Sequence, residues 1–70
     1  MNYLGVIEWD GNGRYAGSIP GMDNCRVEGH SLEDTQIRLR TRLHEVLTQA
    51  HGKVDGWPML TWLVRRKAAA

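Results

Sequence analysis

A single cysteine, Cys25, occurs in the seventy residues, so no internal disulfide can staple the chain. Long hydrophobic runs are missing too. The longest near the C-terminal end, Met59-Leu-Thr-Trp-Leu-Val64, is far short of the ~20 apolar residues that span a bilayer. No excess of one charge is present: nine basic and eight acidic side chains leave a formal charge of +1, and no overall polyelectrolyte attraction to nucleic acid follows. The N-terminal residues hold no apolar stretch behind basic ones, and with one cysteine a reducing, cytoplasmic location is expected. Repeats and low-complexity linkers are also lacking, which predicts one domain over residues 1–67 and a disordered tail at Ala68–Ala70. A chain of this size buries only ~60% of the surface its unfolded form exposes. Small folds are commonly supplemented by disulfides, a metal or a partner chain. With a disulfide excluded, a homo-oligomer or a complex with another protein is expected.

What the sequence does contain is a dense succession of structural signals. From Tyr3 to Trp9, apolar residues occupy both pleat faces, Tyr3, Ile7 and Trp9 on one and Leu4 and Val6 on the other, as in a central strand packed above and below. Asp10-Gly-Asn-Gly13 permits positive φ and reads as a hairpin loop. Arg14 to Ile19 returns antiparallel and stops at Pro20-Gly21. Met22-Asp-Asn24 then connects to a short third strand from Cys25 to His30. Cys25 reads as a small buried strand residue. Ser31-Leu-Glu-Asp34 is a helix start of capping-box type, and the helix runs to about His51 with Gly52 as its left-handed stop. Leu32, Leu39, Leu43, Val46, Leu47 and Ala50 form its apolar stripe. Met59 to Val64 is rich in strand formers and is assigned as a fourth strand, which a right-handed crossover would set parallel to the third. The expected class is α+β, a three-stranded antiparallel meander followed by a helix and a fourth strand.

The residues Val6-Ile7-Glu8, Asp10, Gly13, Tyr15, Ile19-Pro20, Cys25, Gly29 and Ser31-Leu32-Glu33, in this order and spacing, resemble the HicB family of bacterial toxin-antitoxin proteins. The resemblance covers roughly residues 3 to 50. Its corner departs from the family's usual Pro, acidic residue, Leu-Pro-Gly-Cys and reads Pro20-Gly-Met-Asp-Asn-Cys25. The resemblance implies a partial RNase H-like fold that binds and blocks a small RNA-cleaving toxin of the HicA type. Family members commonly carry a C-terminal DNA-binding segment as well, and the expectation here is a module without it.

Side chains able to do chemistry are sparse. Two-metal nuclease chemistry needs several carboxylates around a pair of ions. Glu8 and Asp10 share a face of the first strand, whereas Glu28, Glu33 and Asp34 cluster at the helix start, where capping and strand-edge solvation account for them. Gly11-x-Gly13-x-x-Ala16 is followed by strand-like residues and a proline rather than by the helix a dinucleotide fingerprint requires. His44 and His51 lie two turns apart on the helix, too far for one ion, and read as solvent-facing. No enzyme, metal or cofactor is expected. The candidate partner-binding residues are Trp9, Ile37, Trp57 and Trp62, because tryptophan is enriched at interface hot spots and Ile37 falls off the core stripe between arginines. Trp9 and Trp62 serve equally well as core residues. Arg38, Arg40 and Arg42 read as a solvated helix face, and Arg65, Arg66 and Lys67 are candidate, weak nucleic-acid contacts. The leading expectation is an antitoxin-like module that neutralises a ribonuclease toxin by direct contact. The alternative is a stand-alone oligomeric module that binds nucleic acid or protein without a toxin.

Overall fold

The computed structural model describes residues 2–53 and 55–67; the expected tail at 68–70 lies outside them. The chain is α+β, with strands β1 (Asn2–Trp9), β2 (Tyr15–Ile19) and β3 (Met22–Gly29), helix α1 (Leu32–His51) and strand β4 (Met59–Arg66). The four strands form one mixed sheet in the order β3-β2-β1-β4. β1 pairs antiparallel with β2 and parallel with β4, in a register that runs unbroken from Asn2 opposite Met59 to Trp9 opposite Arg66. The two-faced apolar pattern of β1 did indicate a central strand. Its second face, however, has no layer over it among the described residues, and Leu4 there is exposed. No described helix is long and apolar enough to cross a membrane.

The loop between β1 and β2 closes on Asp10, whose carboxylate accepts the N–H groups of Asn12 at 2.7 Å and Arg14 at 3.2 Å. An Asx turn of this kind lets a short side chain satisfy the loop's own backbone. The second corner differs from the sequence reading. Only Pro20-Gly21 turns the chain, with Gly21 at φ +85°, and β3 begins at once with Met22 paired to Ile19. Proline fixes the first corner φ and glycine allows the positive second one. The residues expected to form a loop instead enter the strand as an irregularity, because the register jumps from Ile19 opposite Met22 to Ser18 opposite Arg26. This bulge tucks Cys25 fully into the core, and Arg42 Nε–H on the helix ties it down by donating to the Asn24 carbonyl at 2.9 Å.

The helix starts as its sequence predicts. The Ser31 hydroxyl accepts the Asp34 N–H at 3.0 Å, while the Asp34 carboxylate accepts the His30 N–H at 3.5 Å and pairs with Arg38 at 3.0 Å. A cap of this type stabilises by ~1 kcal/mol. The helix stops at Gly52, with φ +78° and ψ −144°, a conformation essentially confined to glycine.

Leu39, Leu43 and Val46 bury the core stripe against Ile19 and Cys25, with Val27 and Met22 packed around them. Leu32 and Ala50 do not join it; both are exposed, because the two ends of the helix overhang the packed region. The stripe gains Thr35 instead, fully buried, whose hydroxyl donates to the Ser31 carbonyl at 2.7 Å. Thr35 fits because Gly17 and Gly29 leave no side chain in its way: a Cβ on Gly29 would collide with the Thr35 hydroxyl. The helix thereby settles mainly over β3, less over β2 and β1, and hardly over β4. That lateral offset decides what is left uncovered.

Candidate functional site

Ile37 and Trp57 come together, and they do so on the flank of the helix that the offset leaves open. Trp57 sits in the connector 52–58 just after Gly56, whose φ of +75° turns the chain. Its ring lies against the His44 imidazole, with centroids 4.4 Å apart and planes inclined at 36°. It is nonetheless 60% exposed, and Ile37 beside it is 48% exposed. Ile37, Arg40 and Thr41 form with Trp57 a shallow groove of about 270 Å³. On its other side Trp57 joins Tyr3, Leu47, Pro58 and Met59 around a larger, mainly apolar hollow of about 410 Å³. Trp57 is thus a ridge between two depressions, supported from behind by an imidazole.

His44 was expected to face solvent, and the structure corrects this: it is half-buried as the rest on which Trp57 leans. The signal was present. Ile37, Arg40, Thr41 and His44 recur at i, i+3, i+4 and i+7, which is a second helical stripe beside the apolar one.

Trp62 belongs elsewhere. It packs at the margin of the core, directly opposite Gly5 on β1. A Cβ on Gly5 would lie 2.6 Å from its ring, so the glycine provides the seat for the indole. Of the two readings left open for Trp62, core packing accounts for most of its surroundings.

Trp9 lies at the far end of the sheet. It stacks on its cross-strand partner Tyr15, with centroids 6.2 Å apart and planes at 18°, and the Arg66 guanidinium covers it at 5.7 Å. The Lys67 N–H donates to the Trp9 carbonyl at 2.8 Å. The basic triplet does not act as one patch, because the strand's alternation sends neighbours to opposite faces. Arg66 goes to Trp9, while Arg65 turns to the uncovered face and pairs with Glu8 at 3.3 Å, its register partner. The same face carries a wide hollow of about 560 Å³ bordered by Glu8, Ser18, Arg26 and Glu28.

The titratable groups with perturbed equilibria are structural in character. Hydrogen bonds from the backbone of Asn12 hold the Asp10 carboxyl below its ordinary range, with Arg14 assisting. Burial pushes the Cys25 thiol up, against a smaller opposing effect of the Arg42 charge, and so disfavours the reactive thiolate. Glu8 is engaged by Arg65 and Asp10 by its own loop, and both border a hollow of about 250 Å³ that Arg14 and Lys67 also line. Among the described residues no three His, Cys, Asp or Glu side chains are grouped to hold a metal ion.

What the arrangement offers chemically is contact surface: an aromatic ridge at one end, an aromatic and cationic stack at the other, and an apolar outer strand between them. No family model, no curated protein and no solved structure matches this chain.

Proposed function

We propose that the chain is an antitoxin-like binding module of HicB type that neutralises a small ribonuclease toxin in the cytoplasm by direct protein contact. The observation that carries the reading is Trp57, mostly exposed yet held by His44 beside the exposed Ile37. A large amphipathic ring already fixed in position loses little conformational freedom on binding, which is why such residues dominate interface energetics. Arg40, which makes no ion pair among the described residues, borders the same groove and is available to an acidic group of the partner. The motif order described above supplies the identity of the partner class. The test is co-expression with the product of the neighbouring gene, followed by pull-down and a growth assay. A stable complex, rescued growth and at least a tenfold weaker complex for Trp57→Ala are expected; an intact complex with Trp57→Ala removes the ridge from the interface. The absence of both binding and rescue removes the toxin.

A second reading has its own observation. The Trp9 and Tyr15 stack lies beside Arg66 and Lys67, and aromatic rings flanked by cations are the components of single-stranded nucleic-acid platforms. In this reading labelled RNA shifts in a salt-sensitive manner, and Trp9→Ala abolishes the shift.

A further inference from the structure

We infer that β4 is a self-association edge: two copies of this chain pair antiparallel along it and continue the four-stranded sheet into one of eight strands. The inference concerns the chain alone and holds whether or not a toxin is the partner.

The backbone supplies the first argument. Among the described residues β4 has one neighbour, β1. In a parallel ladder the N–H and C=O of every second residue turn to the neighbouring strand and those between turn away. The Lys67 N–H donates to the Trp9 carbonyl, so the odd-numbered residues of β4 face β1. Leu60, Trp62, Val64 and Arg66 therefore direct their N–H and C=O groups to the free side. A two-fold axis at Trp62 or Leu63 lets these residues exchange paired hydrogen bonds, since both choices set even-numbered residues opposite even-numbered ones and keep each side chain on its own face of the sheet.

Side chains supply the second. Sheet edges are ordinarily guarded by charge, proline, bulges or a covering element. From Met59 to Val64 the strand has none of these, and Met59, Leu63 and Val64 are 68%, 44% and 47% exposed. Val64 lies on the helix side and Leu63 on the open side, so pairing buries apolar surface above and below the seam. Charge selects the orientation. Antiparallel pairing places Arg65, Arg66 and Lys67 of the two copies at opposite ends of the seam, whereas parallel pairing would stack like charges on one another.

Surface area supplies the third. The chain exposes 5087 Å², whereas a compact monomer of its mass exposes about 4400 Å². The excess of roughly 700 Å² belongs to the chain as a whole, and it means that this monomer is less compact than usual for its mass and leaves surface for a second copy to cover.

Sedimentation equilibrium of the full chain, from micromolar to hundreds of micromolar, tests the inference. The expected species is a dimer of the 7.9 kDa chain. Val64→Lys places a charged side chain opposite Leu60 or Trp62 of the second copy, where no acidic group meets it, and should raise the dissociation constant about tenfold or more, as charge on natural sheet edges blocks pairing. Val64→Pro removes one outward N–H without touching the β1 ladder and should also give monomer. Far-ultraviolet circular dichroism shows that each variant is folded, and Glu28→Lys on the opposite edge serves as a control that stays dimeric. A wild-type chain that remains monomeric throughout overturns the inference. So does a dimer that survives in both folded Val64 variants, or one that dissolves in Glu28→Lys.

Discussion

The sheet has two outer strands, and they are held and guarded in different ways. β3 carries Asp23, Arg26 and Glu28, is broken by the bulge next to the Pro20-Gly21 corner, and lies under the helix. β4 pairs in unbroken register with β1, has no charge before Arg65 and has almost no helix above it. β3 is therefore secured chiefly by side-chain packing and β4 chiefly by a backbone ladder. The first arrangement closes an edge. The second leaves one open, with its apolar side chains in place.

The largest expected effect lies on the β3 side. Leu43 is fully buried where the helix meets Ile19 and Cys25, so Leu43→Ala should cost about 2–5 kcal/mol. Leu63→Ala on β4 should cost the dilute monomer less than about 1 kcal/mol, since half-exposed surface side chains contribute little. Urea unfolding of both variants at low concentration measures the contrast. Equal losses would show that β4 is packed as firmly as β3.

Next in size is the junction between the two regions. Gly5→Ala places a methyl group 2.6 Å from the Trp62 ring, and neither the indole nor the paired backbone can move aside freely. Overpacking of this kind costs about 1–3 kcal/mol. Because Trp62 is on β4, hydrogen exchange in this variant should rise first at the amides that join β4 to β1. Uniform acceleration over the whole sheet would mean that β4 does not loosen separately.

These two sites also show what the sequence makes legible. Ser31, Leu39, Leu43 and Val46 announce themselves, because a cap needs an oxygen-bearing side chain at one place and a helix buries residues at a fixed spacing. Asp10 and Gly52 are equally plain, since their local conformations admit few residue types. The seat of Trp62 on Gly5 is different: it joins residues far apart in the chain, and only the register reveals it. Thr35 stands at the stripe's own spacing, four residues before Leu39, but its polar type hides it, and the room that Gly17 and Gly29 leave for it lies on two separate strands. The bulge in β3 is hidden because Asp23 and Asn24 are turn formers by type and strand residues by position. Of the candidate interface residues, Trp57 and Ile37 were visible as apolar residues out of pattern. Their meeting depended on the lateral offset of the helix, which the stripe alone does not determine.

A smaller effect would follow from removing the charges that guard β3. Arg26→Val with Glu28→Val leaves the core untouched, since both side chains are exposed, but gives the sheet a second apolar edge. A dimer with two free sticky edges can extend indefinitely. Light scattering should then climb with concentration for the double variant and stay level for the wild type. A level signal in both would show that the bulge and the helix suffice to close β3 without charge.

The smallest effect concerns the loop that joins the central strand β1 to β2. The Asp10 carboxyl is held below its ordinary value of 3.8, first by the Asn12 N–H and then by Arg14, so the fold favours its charged form. A folded-state pKa below the unfolded one contributes stability that is present above the unfolded value and is lost as pH falls through the folded value. Asp10→Asn retains the loop's hydrogen-bonding shape and removes the charge. The thermal midpoint of this variant should lie slightly below wild type near neutral pH, and the gap should close below about pH 4 as the wild-type carboxyl takes up its proton. A gap that persists in acid would assign the contribution of Asp10 to hydrogen-bond geometry alone.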